Sequence, residues 1–236
     1  MTNVSPQLAL LSAEGISERL AEAMFPKKIN LFGLTVGPSL ITAVFVTVFL
    51  SLVCIVLYFT VVKKLKPVPK GAQLFLEMLV GSFDKSAKES THDYGKYVGP
   101  YVFSAAVFIC FSTLLELVGL RPALADINAC LAFGISAFIV INILGFKKKG
   151  GWGRAKRFLF NPINLITDIA VPVSLSFRLF GSIVSGLLIM ELLYSTLALS
   201  IGVPVIVSVI TTLFHAFIQA YVFATLTSLF VGEAIE

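Results

Sequence analysis

Charge is what this sequence has least of. Only 13% of its 236 residues are Asp, Glu, Lys or Arg, while 57% are hydrophobic and the mean hydropathy is +0.95. A soluble domain carries about twice that charged fraction. Several apolar runs approach or exceed the ~20 residues that span a bilayer as a helix, which leaves a polytopic all-α membrane protein as the class. Cysteine is scarce as well. Cys54, Cys110 and Cys130 are odd in number and lie within apolar segments, which excludes a disulfide framework or a metal cluster; they read as small buried hydrophobes. No internal repeat and no domain boundary is visible, so residues 1–236 form one membrane domain. A self-contained secondary transporter, the competing functional class, would show repeated halves meeting at a midplane site. No cleavable signal peptide is expected: Glu14, Glu18, Glu22 and Pro26 occupy the first 30 residues without a basic region ahead of an apolar core. The first span is expected to act as the uncleaved insertion signal.

What charge there is falls in blocks. Of 18 Lys and Arg, seven lie in Lys63–Lys96 and six in Lys147–Arg157. Two basic loops alternating with basic-poor ones mark a positive-inside topology rather than a nucleic-acid surface. With both basic loops inside, five spans put the N-terminus outside and the C-terminus in the cytoplasm.

Along the chain, residues 1–37 form a surface segment, with Ser12–Phe25 as a short amphipathic helix and a turn-rich approach to the bilayer after it. The first span is about Leu40–Val62, closed by Lys63, Lys64 and Lys66. Lys70–Ser90 is amphipathic and reads as an interfacial helix or hairpin on the basic side. The second span, about Val98–Val118, and the third, about Ile127–Phe146, flank the tight turn GLRPALAD. KKKGGWGRAKR reads as a flexible basic loop. From Phe158 to Ser200 the chain stays mostly apolar, which as one straight helix would be ~60 Å long, twice the ~30 Å hydrocarbon core. A long, steeply tilted element is expected, permitted to kink by Pro162 and Pro172, then a turn at Gly202–Pro204 and a final helix over Val205–Val231. About five membrane-embedded helices result, ending in a helix hairpin over residues 158–233.

The polar groups inside these spans are few. Between Val171 and Met190 the only charged side chain is that of Arg178. An arginine keeps its proton in a protein, and mid-bilayer it costs roughly 2.5–3.5 kcal/mol on insertion scales. Asp168 and Asn164 lie one helical step apart towards the inner end, and Ser174 continues the ladder to Arg178. Glu191 lies thirteen residues beyond Arg178, and His215 and Gln219 share a face of the last helix. Glu116 and Asp126 flank the outer turn, where they either pair with Arg121 near water or belong to an outer channel. Asn164, Asp168 and Ser174 thus form an inner polar set, and Glu191 and His215 an outer one, with Arg178 between. A fixed positive charge between two wet paths suits a device that conducts an ion to mid-membrane and blocks it there. An acidic carrier on a partner would release its cation on passing, because a nearby positive charge favours the carboxylate. A purely structural scaffold would leave the mid-membrane arginine without a purpose.

At these residues the sequence resembles the a subunit of F-type ATP synthases. The resemblance rests on PVSLSFRLFGS at Pro172–Ser182, preceded by FNPINLI, on FIQAYVFATLTSLFVGEA at Phe217–Ala234, and on LADIN at Leu124–Asn128. It implies two long tilted helices facing a rotating ring of c subunits, each bearing a carboxylate, and two offset half-channels that lead H⁺ or Na⁺ to that interface. Arg178 matches the arginine that separates the half-channels, and Gln219 the glutamine facing it. The implied partners are the c ring, the b subunits of the peripheral stalk, the F1 sector through the complex, and the bilayer. No cofactor is implied, and ATP formation belongs to the soluble sector. The chain also departs from the family pattern. Ser182 stands where asparagine is usual four residues after the arginine, and Leu187 and Thr212 stand where titratable groups are common. Asn164 takes the inner acidic position. Glu191 and His215 are expected to replace the outer-channel pair from displaced positions.

Overall fold

The computed structural model describes residues 29–31, 34–64, 71–91, 94–118, 120–160, 162–196 and 202–235; for 29–36, 64, 72, 149–169, 187, 190–196 and 202–204 it describes the backbone alone. The expected Ser12–Phe25 helix lies outside these residues. The approach to the bilayer, expected as turns, contains a small antiparallel ribbon of β1 (Ile29–Leu31) and β2 (Leu34–Val36), with Ile29 opposite Val36 and Leu31 opposite Leu34. All other described secondary-structure elements are helices.

Helix α1 (Pro38–Thr60) starts with proline in its first turn, where the missing N–H has no intrahelical role. It buries only Ser39, Thr42 and Val46. Its remaining Val, Leu, Ile and Phe side chains are exposed along almost the whole helix, an apolar surface fit for lipid or for a partner helix, not for water. Lys63 sits 4.6 Å from the Phe59 ring centroid just past its end, the basic and aromatic boundary expected at a membrane interface.

Gly71, with φ +62°, takes the left-handed turn into α2 (Ala72–Thr91). Helix α2 folds back on α3 (Gly95–Leu114) as a helical hairpin. The close approach requires glycine on α3: a Cβ at Gly99 would lie 2.8 Å from Asp84 Oδ1, and one at Gly95 would lie 2.8 Å from the Lys88 backbone. Of the two expectations for the amphipathic Lys70–Ser90 segment, helix or hairpin, the structure shows a single helix from Ala72 on. A 3₁₀ turn, Leu115–Val118, continues α3 to the end of its apolar run.

Helix α4 (Ile127–Phe160) is a correction to the expected basic loop: the backbone stays helical through KKKGGWGRAKR. Lys and Arg are good helix formers and the glycines cost only about 1 kcal/mol each. The effective stop is Pro162, which disfavours helical geometry at the preceding residue. That proline then opens α5 (Pro162–Thr196), which carries Pro172 in its interior. Helix α6 (Gly202–Ile235) includes Gly202 and Pro204 in its first turn. The expected turn at these two residues is therefore corrected to helix, since proline is tolerated where N–H groups are unsatisfied anyway. With 35 and 34 residues, α5 and α6 each exceed 50 Å at ~1.5 Å per residue, so each must tilt or project beyond a ~30 Å core. Four described helices are long and apolar enough to cross a membrane, α1, α3 with its 3₁₀ extension, α4 and α6, and the described Ala170–Gly186 part of α5 is a fifth apolar segment.

Helix α6 is the packing centre. It lies against α2, α3, α4 and α5. Along it Ala216, Ala220, Ala224, Ser228 and Gly232 recur every fourth residue and all are buried. Such a small-residue stripe lets helix backbones approach closely where lipid supplies no hydrophobic driving force. At its end a Cβ on Gly232 would collide with the Ser90 carbonyl of α2. Phe223 fills the middle, edge-on to Phe133 of α4 at 5.8 Å, and Phe133 stacks on Phe108 of α3. Tyr101 of α3 and Ser136 of α4 share a hydrogen bond of 2.8 Å.

Candidate functional site

Helix α5 presents two unlike faces. Val171, Leu175, Ser176, Leu179 and Ile183 are buried, whereas Val173, Ser174, Phe177, Arg178, Gly181, Ser185 and Ile189 are exposed. The buried set follows the i, i+4 ladder that faces α4. Gly134 on α4 makes that contact possible: a Cβ there would lie 2.6 Å from the Pro172 carbonyl oxygen and collide with Ser176 Oγ. The Ser176 hydroxyl in turn donates to Pro172 O at 2.7 Å. Pro172 is thus locked against α4 just before Arg178.

At 100° per residue, Ser174, Gly181 and Ser185 lie within about 60° of Arg178 around the helix. The guanidinium therefore stands in a stripe of small side chains on the outer surface of α5. No described residue forms an ion pair or a hydrogen bond with it. The side chains of Asn164, Asp168 and Glu191 lie outside those described, although all three fall on the α5 backbone. Ser174 is described and exposed, one turn before Arg178.

Gln219 is buried, only 6% exposed, and its amide nitrogen Nε2 has no hydrogen-bond partner among the described residues. It lies on the inward arc of α6 with Thr212, Ala216 and Phe223, while Arg178 lies on the outward arc of α5. No hydrogen bond joins the two. His215, one turn earlier, is half-buried, and its buried Nε2 also has no hydrogen-bond partner among the described residues. Two orphaned polar atoms one turn apart mark this strip of α6, because a buried donor or acceptor left unsatisfied costs about 1–3 kcal/mol.

The outer turn has an architecture of its own. Asp126 has extended backbone angles and accepts the Asn128 N–H at 3.0 Å, while its carbonyl accepts the Cys130 N–H. This is an N-cap for α4, a role that sequence reading missed although an Asp two residues ahead of an apolar run was its signal. Ser112 Oγ accepts the Ala123 N–H at 2.9 Å and ties the turn to α3. Burial pushes the Arg121 guanidinium below its usual range, and the Asp126 charge acts in the opposite direction. Glu116 is half-buried in the 3₁₀ turn. Asp126→Ala is expected to lower stability by about 1 kcal/mol through loss of the cap, and Asp126→Asn to recover most of it, since Asn caps equally well. Thermal unfolding of the detergent-solubilised protein checks this; equal melting of the two variants would show that charge, not capping, is what matters there. No group of three or more metal-ligating side chains occurs among the described residues.

The sequence matches the family described as ATP synthase A chain over residues 40–232. It is similar to the chloroplastic ATP synthase subunit a of Stigeoclonium helveticum, 33% identical over 192 residues that cover 74% of this chain and 76% of the relative. It is also similar to ATP synthase subunit a of Geobacter sulfurreducens, 28% identical over 79% of this chain and 85% of the relative. A third relative, ATP synthase subunit a of Citrifermentans bemidjiense, is 30% identical over 77% of this chain and 82% of its own length.

Proposed function

Because the chain belongs to the ATP synthase A chain family, a multi-pass membrane subunit of that synthase, we propose that it is the ion-translocating stator facing the c ring. The observation that carries this reading is Arg178, an exposed cation in a small-residue stripe on α5 with no ion-pair partner among the described residues. A partner helix can approach such a surface closely, and a carboxylate on that partner would complete the charge. The c ring supplies the carboxylates in turn. Each arrives carrying its H⁺ or Na⁺ and loses it near the guanidinium, because opposite charge at close range lowers a carboxyl pKa by 1–3 units.

Two half-channels feed this gate. Asn164, Asp168 and Ser174 line the inner one; Glu191 and His215 line the outer one, with Glu116 and Asp126 towards its mouth. The buried, unpartnered nitrogens of His215 and Gln219 support a hydrated strip along α6, since water would satisfy both. Gln219 comes to the guanidinium as the ring docks. The subunit itself performs no ATP chemistry. The b subunits and, through the complex, the F1 sector complete the assembly, with the N-terminus outside and the C-terminus cytoplasmic.

Glu191→Gln and His215→Ala are each expected to reduce ATP-driven ion pumping in membrane vesicles by about tenfold, with the c ring and b subunits still co-purifying in mild detergent. Full pumping in both variants would remove these residues from the path. Failure of the native chain to co-purify with a c ring would contradict the stator reading itself.

A further inference from the structure

On the side of α6 turned away from Gln219, a cavity of about 370 Å³ opens between α6 and α2, large enough for a small ligand. Lys85 and Glu89 of α2 line it, and Val102 of α3 is part of its wall. These two opposite charges stand one helical turn apart, yet no ion pair joins them. At the same spacing Asp84 and Lys88 do pair, at 2.6 Å. The order explains part of the difference, because acid before base is the better i, i+4 arrangement. Among the described residues, neither Lys85 nor Glu89 of the cavity has an ion-pair partner.

Its hydroxyls divide in a matching way. Thr225 and Ser228 donate to Tyr221 O at 2.9 Å and Ala224 O at 3.0 Å, so they present oxygen lone pairs to the cavity. Ser82, Ser86 and Tyr221 also line it, and their hydroxyls form no hydrogen bond within the described protein, which leaves their protons available. A plain anion would be drawn by Lys85 and opposed by Glu89, and a plain cation the reverse. Leu79 of α2 and Leu229 of α6 are exposed on the flanking helices, an apolar surround that suits acyl chains.

We infer that this cavity seats the headgroup of a zwitterionic phospholipid bearing a primary ammonium, in the manner of phosphatidylethanolamine. Lys85, Ser82 and Ser86 bind the phosphate oxygens. Glu89 and the lone pairs of Thr225 and Ser228 accept the three ammonium protons. Phosphatidylcholine lacks those N–H donors, and phosphatidylglycerol lacks the positive charge, so both fit less well.

The test uses the full-length chain in the complex in which it purifies, delipidated in detergent and mixed with equal amounts of the three lipids. Retained lipid is quantified after gel filtration, and a photoactivatable phosphatidylethanolamine maps the site. The expected result is retention of phosphatidylethanolamine about fivefold above the other two, with labelling confined to peptides containing residues 82–89 or 221–228. Glu89→Gln should shift the preference towards phosphatidylglycerol, and Lys85→Met should abolish it. Equal retention of all three lipids, labelling elsewhere, or an unchanged preference in Glu89→Gln would overturn the proposal. So would displacement of the label by inorganic phosphate alone, which would mark a simple anion site.

Discussion

Arg178→Ala is expected to abolish coupled ATP synthesis and ATP-driven ion pumping, a loss on the order of 100-fold or more, equivalent to about 2.7 kcal/mol. The argument starts from the charge. A guanidinium about 4 Å from a carboxylate is worth roughly 4 kcal/mol at an effective dielectric of 20, enough to hold the carboxylate ionised as it passes. Without the guanidinium a loaded carboxyl crosses between the half-channels still carrying its ion, and rotation uncouples from transfer. The variant should therefore make vesicles leakier to the ion while ATP-driven pumping disappears. Arg178 has no ion pair or hydrogen bond with any described residue, so its removal leaves no buried charge orphaned and the fold should persist. Normal subunit levels in the membrane would confirm that the loss is mechanistic. Retained coupled synthesis would refute the role.

Gly134→Leu should be nearly as damaging, for a different reason. A Cβ at this position meets the Pro172 backbone oxygen at 2.6 Å and collides with Ser176 Oγ. A backbone carbonyl cannot rotate aside as a long side chain can, so α4 and α5 must separate. Overpacking of this kind costs typically 1–3 kcal/mol, and here it also lifts Leu175, Leu179 and Ile183 from their contacts. Arg178 moves with them. The expected result is reduced accumulation in the membrane and pumping lowered by more than about tenfold, with Gly134→Ala intermediate. Gly81→Ala is the control, because a Cβ there meets nothing within 4 Å and alanine is the better helix former. Equal behaviour of Gly134→Leu and Gly81→Ala would show that the α4–α5 contact does not position the site.

These two residues also show where sequence reading succeeds and where it stops. Arg178 stands out in any reading, because one charge in twenty apolar residues has a large physical cost. Gly134 does not, since what it touches lies 38 residues away on another helix. A signal was nevertheless present: Cys130, Gly134 and Ala137 fall on one buried face of α4, and the five small residues at every fourth position of α6 repeat it. Periodicity of small residues is as legible as periodicity of large ones. The number and order of apolar helices follow from hydropathy alone. The helical path of KKKGGWGRAKR does not, because glycine and charge suggest a loop while only Pro162 breaks the backbone. The inward turn of Gln219 was out of reach for another reason. Helical spacing tells which residues share a face, but not which way that face turns until neighbouring helices are placed.

The central claim is that the Arg178 stripe of α5 is the surface that meets the rotor. Disulfide cross-linking tests it most directly. Cys54, Cys110 and Cys130 are first replaced by serine or alanine, and Ser174→Cys or Ser185→Cys is then paired with a cysteine beside the c-subunit carboxylate. Both positions are exposed and share the arginine's side of α5. The account predicts a cross-linked product from each upon oxidation, and none from Val48→Cys on the exposed face of α1. Cross-links from α1 with none from Ser174→Cys and Ser185→Cys would contradict it.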